Sequence, residues 1–179
     1  LSSTRRVTES ETPDQPQPSS PLPVHKIVRN RHQPRKVFHE NEIKQLADSI
    51  NENGQISPIV VRKMGEKFEL IVGERRWRAT QLLKKDTIDA VIIDADEKTS
   101  AVLSIVENVQ REDLNSMEEA ESLLRLVNEF GMSHDDVSKY ISKSRTHVTN
   151  LIRLNDLSDY GKEQLRADKI TMGHARAVL

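Results

Sequence analysis

The first half of the chain switches between two hydrophobic periods. Apolar residues recur at helical spacing ahead of Gly54, a helix-terminating glycine: Ile43, Leu46, Ala47 and Ile50. Three short, β-branched stretches bounded by turn residues predict strands at 56–62, 68–72 and 88–93, with a hairpin loop between the first two. A helix is predicted over 74–85, with buried members at Trp77, Leu82 and Leu83. Helices mixed with short strands indicate a small α+β domain.

The second half shows no strand pattern after residue 94. Its apolar spacing predicts helices at 97–109, 116–130, 134–141 and 144–154, followed by two more. A capping box beginning at Ser116 opens one of them and Gly131 ends it, and Ser133-His-Asp-Asp136 caps the next. This half is therefore predicted to be all-α.

Composition divides the chain further. Residues 1–23 hold five of the seven prolines and only three apolar residues, which predicts a disordered tail because too little surface can be buried. We expect an α+β domain over 24–112 and a helical domain over 113–179.

Charge is segmented along the chain. The net charge is −1, yet basic residues concentrate in 62–85 and 143–176 and acidic ones in 94–121. Near-neutrality therefore does not exclude nucleic-acid binding, because the placement of the charge decides it.

Several kinds of protein are excluded by what the sequence lacks. Without cysteine there is no disulfide, thiolate metal site or thiol nucleophile. No apolar run approaches a membrane span, and the N-terminus has no signal-peptide core. The chain starts at Leu1 and stops at Leu179 inside a predicted helix, so we expect it to be a piece of a longer protein.

Two short helices in the second half fit a helix-turn-helix. Their apolar residues are spaced to pack together: Val137, Tyr140 and Ile141 against Val148, Leu151 and Ile152. A three-residue connection, 142–144, forces a sharp crossing that lets the second helix enter a major groove. Its other face carries cations and short hydrogen-bonding groups: Arg145, Thr146, His147, Thr149, Asn150 and Arg153. The alternative is the solvated face of an ordinary helical hairpin.

A second motif lies between a strand and a helix, Gly73-Glu-Arg-Arg-Trp-Arg-Ala79. Its glycine lets backbone amides approach an anion at a helix N-terminus. Arg75 and Arg76 supply bidentate donors for phosphate oxygens, and Glu74 could hold a metal or position a water. The alternative is a surface cluster of ion pairs.

Oxygen ligands gather at the end of the helix predicted over 97–109. Glu107, Asn108, Glu112 and Asp113 are of the kind that Mg²⁺ accepts beside phosphates. A solvated acidic helix end is the alternative. His134 and His174 are interpreted as capping or surface histidines rather than ligands.

Five ordered motifs give the chain a family resemblance. They are Gln33-Pro-Arg-Lys36, Gly73-Glu-Arg-Arg-Trp-Arg-Ala79, Glu107-Asn-Val-Gln-Arg-Glu-Asp-Leu-Asn115, Lys143-Ser-Arg145 and Gly173-His-Ala-Arg176. Over residues 24–179 the sequence resembles ParB proteins, a family of chromosome and plasmid partition proteins.

The resemblance implies what the first domain does. In ParB proteins it binds CTP with Mg²⁺, closes on a partner subunit as a clamp and slides onto neighbouring DNA, and slow CTP hydrolysis reopens it. Carried over by motif, Glu74 supports hydrolysis, and Glu107 and Asn108 hold the metal. The implied nucleotide contacts are Gly54, Ser57, Pro58, Gly73, Arg75, Arg76, Glu107, Asn108 and Arg111.

For the second domain, the resemblance implies recognition of parS, a palindromic centromere site. The implied DNA contacts are Lys143, Ser144, Arg145, Thr146, His147, Asn150, Arg153, Gly173, His174 and Arg176. The implied partners are the parS duplex, a second copy of the chain, a ParA-type ATPase and an SMC condensin. The expected location is the bacterial cytoplasm at the nucleoid, with no membrane partner.

The chain departs from the family pattern at three places. Ser57 stands where glutamine usually precedes proline, Arg31-His32 replaces a proline–aromatic pair, and Ser142 replaces the common turn glycine. We also expect the family's C-terminal dimerisation domain to be missing from this chain.

Two other functions are compatible with parts of the sequence. One is a sequence-specific plasmid-partition or repressor protein whose first domain only mediates protein contacts. The other is an ATP-dependent enzyme, because the first domain resembles sulfiredoxin and certain small-molecule kinases. Sulfiredoxin chemistry needs a cysteine, which is lacking, and a kinase would not need the helix-turn-helix.

Overall fold

The computed structural model describes residues 18–33 and 37–179. Strands in this part form one mixed sheet in the order β1-β5-β3-β4-β2. Their bounds are β1 Ser20–Pro23, β2 Ile27–Arg29, β3 Ile59–Met64, β4 Lys67–Val72 and β5 Thr87–Ile93. The β1–β5 and β3–β4 pairs are antiparallel, and the β2–β4 and β3–β5 pairs are parallel.

Helices connect and follow the strands. The first three are α1 Glu40–Asn53, α2 Glu74–Leu82 and α3 Glu97–Val109. The rest are α4 Ser116–Phe130, α5 His134–Ile141, α6 Arg145–Arg153, α7 Asp159–Arg166 and α8 Met172–Ala177. Short 3₁₀ turns occur at Val24–Lys26 and Leu154–Asp156. None of the helices in the described residues is long and apolar enough to cross a membrane. The predicted fold class, an α+β domain followed by a helical domain, is confirmed.

Helix α3 is shared between the two halves. Its apolar side belongs to the helical core, through Val102, Ile105, Val106 and Val109. On its other side the Ser100 hydroxyl donates to Glu69 Oε2 at 2.8 Å and accepts from the Asn30 side-chain amide at 3.1 Å. Glu69 also binds Arg62 at 2.6 Å. Because α3 contacts both halves, no gap in the packing marks the predicted domain boundary at residue 112.

The predicted tail is corrected at its C-terminal end. Residues 1–17 lie outside the described part, but Ser20–Pro23 forms an edge strand paired with β5. The strand is stabilised because Leu22 is buried in the sheet core with Val24. Its two prolines are tolerated because an edge strand leaves one row of backbone groups unpaired.

Other boundaries shift for local reasons. The strand predicted from residue 56 begins at Ile59, and Ile56 is 85% exposed. The Gln55 side chain takes the place of strand pairing: its Nε2 donates to the carbonyls of Ser57 at 2.9 Å and Asp89 at 2.8 Å. The 55–58 segment is therefore a pinned loop beside β5.

Some predicted cap and core positions are also corrected. The capping residue of α4 is Asn115, whose side chain bonds the amides of Met117 and Glu118, so the box predicted from Ser116 is off by one. The predicted cap at Ser133 is confirmed, and it is a capping box with Asp136. Leu82 was predicted to be buried but is 56% exposed, because α2 ends there and turns its small residues, Ala79 and Thr80, inward.

Candidate functional site: a polar cleft and a helix-turn-helix

The first candidate site starts at the junction of β4 and α2, where the backbone turns sharply at Gly73. This residue has φ +104, and a Cβ on it would lie 2.7 Å from Ile59 Cγ2. No side chain caps the helix that follows, so its first amides are not used by a capping group. An uncapped helix start is suited to hold an anion.

Glu74, the first residue of α2, is a buried carboxylate, with a side chain only 4% exposed. Its Oε1 lies 2.8 Å from Arg29 Nε and 3.0 Å from Arg78 Nη2. Its Oε2 is buried and meets no hydrogen-bond donor among the described residues. Arg78 stacks 4.0 Å from the centroid of the Phe38 ring. One carboxylate oxygen is thus fixed by cations while the other keeps its accepting capacity.

Arg76 braces the loop across from α2. Its Nη1 donates to the carbonyl oxygens of Ser57 at 2.9 Å and Pro58 at 2.5 Å. Burial lowers the pKa of the Arg76 guanidinium, and the negative charge of Glu107 opposes that shift. The neighbouring Arg75 pairs with Glu42 at 3.4 Å.

The second wall of the site is the end of α3. Asn108 is 6% exposed, and its Oδ1 accepts from Arg111 Nη1 at 3.4 Å. Arg111 also binds Asp113 at 2.5 Å. This places an amide, a carboxylate (Glu107) and a cation opposite the start of α2.

The two walls enclose a cleft of about 350 Å³. Its lining residues are Gln33, Phe38, Leu46, Gly73, Glu74, Arg75, Arg76, Glu107, Asn108 and Arg111. A second cavity of about 620 Å³ adjoins it and shares Asn108 and Arg111. The volume of the first cleft and the arginine donors that line it fit a phosphorylated ligand.

The described residues contain no group of three or more His, Cys, Asp or Glu side chains that could hold a metal alone. The oxygen donors that line the cleft suit Mg²⁺ only beside a phosphate, since this ion is usually bound by one or two protein oxygens, waters and phosphate oxygens. Glu107 and Asn108 are the residues that fit this mode.

The second candidate site is the α5–α6 pair. Val137, Ile141, Val148 and Leu151 are buried together in the helical core. Tyr140 was predicted to pack there but is 48% exposed, because it points away on the outer side of α5. The connecting Ser142 adopts φ +55, the left-handed conformation for which a glycine is usually chosen.

The outer face of α6 is polar. Arg145, Thr146 and Arg153 are exposed, and the face also carries the half-buried Asn150. His147 Nε2 lies 3.9 Å from Glu119 of α4. Burial raises the pKa of Glu119, and the charges of His147 and Lys143 oppose the rise.

Other predicted contacts are partly engaged within the chain. Thr149 Oγ1 lies 2.9 Å from His134 Nδ1, which ties α6 to the start of α5. His174 completes a capping box with Thr171 at the start of α8, as the capping interpretation predicted. Gly173 and Arg176 are exposed on the same helix, which packs on α7 and on the Leu154–Asp156 turn.

Comparison with known families shows the family to which the chain belongs. Residues 8–109 match the family model described as the ParB N-terminal domain, and residues 112–179 match the ParB HTH domain. The chain belongs to the ParB family. The resemblance in its motifs is thereby confirmed.

Individual ParB proteins show the extent of the likeness. The probable chromosome-partitioning protein ParB of Coxiella burnetii is 43% identical over 158 residues, 88% of this chain and 54% of that protein. The chain thus spans about half the length of the curated relatives it matches.

Two solved structures of C-terminally truncated ParB from Caulobacter crescentus are similar to this chain. The one complexed to the centromeric parS site is 36% identical, with a TM-score of 0.77, and the match covers 89% of this chain and 84% of that one. The one complexed with CTP-γ-S is 37% identical with a TM-score of 0.49, over 90% and 91% of the two chains.

Most of the nucleotide contacts predicted for this ParB chain meet at one cleft. The predicted residues that line it are Gly73, Glu74, Arg75, Arg76, Glu107, Asn108 and Arg111. Ser57 and Pro58 reach it through backbone carbonyls on Arg76. Gly54 ends α1 with φ +76 and does not line the cleft. The nucleotide contacts, those at the cleft included, stay predictions.

Sequence reasoning missed the residues that hold Glu74. Arg78 lies four residues further along α2, so helical spacing alone could have indicated the pair. Arg29 and Phe38 carried no such signal, because β2 and the segment before α1 reach the site only through tertiary packing.

Proposed function

We propose that this chain is the nucleotide-binding and DNA-binding part of a chromosome-segregation protein. It recognises parS through α6, binds CTP in the cleft and closes on a second copy as a clamp that slides onto neighbouring DNA. Slow CTP hydrolysis reopens the clamp. A ParA-type ATPase and an SMC condensin are its further expected partners at the nucleoid.

The observation that carries the proposal is the convergence at the cleft. The start of α2 and the end of α3 are about thirty residues apart in sequence, yet Arg76 and Glu107 line one cavity. A passive protein-contact domain has no need to gather a half-buried arginine, a half-buried glutamate and a buried asparagine around an open volume. Burying polar groups without partners is costly, and Glu74 Oε2 in this cleft is buried with no hydrogen-bond donor among the described residues, which leaves it available to a bound ligand or water.

The residues have separate roles in this proposal. The uncapped amides at the start of α2, with Arg75 and Arg76, hold the triphosphate. Glu107 and Asn108 hold Mg²⁺, which would neutralise charge on the phosphate oxygens. Glu74 has a buried oxygen with accepting capacity, suited to orient a water for hydrolysis.

A competition assay tests the function directly. CTP, ATP, GTP and UTP are titrated against the chain with Mg²⁺, with and without a parS duplex, and nucleotide hydrolysis is followed in parallel. We expect CTP to bind most tightly and its hydrolysis to rise with parS. Equal affinity for the four nucleotides would reject the CTP assignment. No nucleotide binding at all would favour the plasmid-partition or repressor alternative.

Arg76→Ala should weaken CTP binding by about 1.5–3 kcal/mol, because a bidentate, charge-assisted contact to phosphate is lost. Isothermal titration measures the change. Arg76→Lys is the matched control: it keeps the charge but not the fork, and should bind with intermediate affinity. If Arg76→Ala bound CTP like the wild type while melting earlier, Arg76 would only brace Ser57 and Pro58.

Asn150→Ala should reduce the preference for parS over random DNA by about 1–3 kcal/mol, the value of a good base contact. Arg153→Ala should instead weaken binding to both duplexes and lower the salt slope by about one. Fluorescence anisotropy at several salt concentrations separates the two effects. An Asn150→Ala chain with unchanged preference would remove Asn150 from the base-reading set.

A further inference from the structure

The turn after β2 is held from both sides of the domain boundary. Residues 30–33 close on themselves, with the His32 amide donating to Asn30 Oδ1 at 2.8 Å and the Gln33 amide donating to the Asn30 carbonyl at 3.2 Å. Gln33, the last residue of this turn, lines the cleft proposed to bind nucleotide. Whatever fixes this turn therefore also fixes the position of Gln33 in the cleft lining.

Helix α4, in the helical half, contacts this turn through two side chains. Arg125 donates from Nη1 to the His32 carbonyl at 3.2 Å, and its Nη2 lies 3.4 Å from His32 Nδ1. Glu129 orients the same guanidinium by accepting from Nε at 2.8 Å. Five residues after Arg125, Phe130 meets the His32 ring edge-on, with centroids 6.1 Å apart. Two side chains of α4 thus contact His32.

Helix α3 holds the other side of the turn. Glu97 pairs with Arg31 and lies 3.5 Å from His32 Nε2. Arg31-His32 is the pair that departs from the usual proline–aromatic sequence of ParB proteins. In this chain the departure supplies the groups that Glu97 and Arg125 bind.

Helix α4 also supports α6, the helix proposed to read DNA. α4 packs on α6, and its Glu119 lies 3.9 Å from His147 on the proposed base-reading face. Arg125 also lines the cavity that adjoins the cleft and shares Asn108 and Arg111 with it. A rigid helix therefore connects the His32 turn with the surface proposed to bind parS.

We propose that Arg125 is a positioning residue for the nucleotide cleft. By holding His32 it fixes the turn that brings Gln33 to the cleft wall, and it makes CTP affinity depend on the helix that supports α6. The inference rests on the proposed function. Because linkage is reciprocal, parS binding must then change CTP affinity by the same factor by which CTP changes parS affinity.

The test compares Arg125→Ala with Arg166→Ala in isothermal titrations of CTP, each with and without a saturating parS duplex. Arg166 is a matched control because it also forms an ion pair with α4, through Glu121, but does not contact the turn. We expect Arg125→Ala to raise the CTP dissociation constant about tenfold and to abolish the effect of the duplex on it. Arg166→Ala should leave both unchanged, and thermal melts should show both variants folded.

The outcomes separate this inference from the proposed function. If the wild type binds CTP and Arg125→Ala binds it equally well, Arg125 does not position the cleft. A CTP affinity that the duplex leaves unchanged in the wild type would overturn the link to α6. A wild type that binds no nucleotide would overturn the proposed function together with this inference. Should Arg125→Ala fail to fold, His32→Ala decides: it leaves α4 intact and should weaken CTP binding in the same direction.

Discussion

Gly73→Ala should lower the free energy of unfolding by about 2–5 kcal/mol. A non-glycine residue at positive φ costs roughly 1–2 kcal/mol, and overpacking adds about 1–3 kcal/mol. Both apply here, because φ is +104 and the new Cβ would lie 2.7 Å from Ile59 Cγ2 and 3.4 Å from Ile59 Cα. Ile59 is fully buried in the sheet, so it has no free space into which to move.

Gly65→Ala is the matched control for this substitution. Gly65 also has a positive φ, +60, and lies in the hairpin of the same sheet, but nothing stands within 4 Å of its Cβ position. It should therefore show only the conformational cost of about 1–2 kcal/mol. Urea denaturation of the two variants isolates the effect of the close approach. Equal destabilisation would mean that the Ile59 contact relaxes freely.

Gly73→Ala should also weaken CTP binding in the molecules that remain folded. Relief of the Ile59 contact must move the β4–α2 junction, and with it the amides of Glu74 and Arg75 that are proposed to hold phosphate. A geometric shift of this kind is costly because those amides need a fixed orientation toward the ligand. A Gly73→Ala chain that bound CTP normally would show that the amides are not part of the site.

Local signals in the sequence predicted much of this structure. The strand–helix junction at Gly73, the capping box at Ser133 and the helix stop at Gly131 are each specified by residues within one turn. The packing of α5 on α6 followed from the spacing of Val137 and Val148 alone. These features need no knowledge of distant parts of the chain.

Features that depend on tertiary pairing were not predictable in the same way. The edge strand Ser20–Pro23 forms because β5 offers it a partner and the core accepts Leu22, although its composition is that of a tail. Ile56 looked like a strand residue, but the Gln55 side chain occupies the backbone groups of Ser57 and Asp89. In both cases a distant segment outweighs the local pattern.

The candidate site likewise combines features that local sequence signals predicted with features that depend on tertiary packing. Its residues were predicted because they cluster in two motifs, around Gly73 and around Glu107. Their relative placement, and the contact of Arg29 with Glu74, come from tertiary packing that brings β2 and the end of α3 to the start of α2. Motif spacing therefore predicted which residues belong to the candidate site, whereas the structure adds which oxygen of Glu74 is held and which is not.

Glu74→Gln should slow CTP hydrolysis by about a hundredfold to ten-thousandfold, the range for loss of a positioned general base. The amide oxygen can still accept from Arg29 and Arg78, which lie 2.8 Å and 3.0 Å from Oε1. The position of Oε2 becomes an NH₂ group, which cannot accept a proton from water. The fold and the phosphate contacts should persist, so the closed clamp should last longer on DNA.

Glu42→Gln provides the matched control, since Glu42 also pairs with an arginine of the Gly73 motif but is 45% exposed. It should hydrolyse CTP at close to the wild-type rate. Steady-state phosphate release and CTP titrations on both variants distinguish a chemical role from a binding role. Hydrolysis unaffected by Glu74→Gln would mean that Glu74 only braces Arg29 and Arg78.

The Glu74 variant also tests the division of labour between the two halves of the chain. Glu74 lies at the β4–α2 junction, whereas Asn150 and Arg153 lie on α6, and the acidic 94–121 stretch separates them in sequence. Binding of Glu74→Gln to a parS duplex without nucleotide should therefore match the wild type in anisotropy titrations. Loss of parS binding in this variant would contradict this division, and the arginine-rich motif at α2 would then have to be tested as a direct DNA contact through Arg75, Arg76 and Arg78.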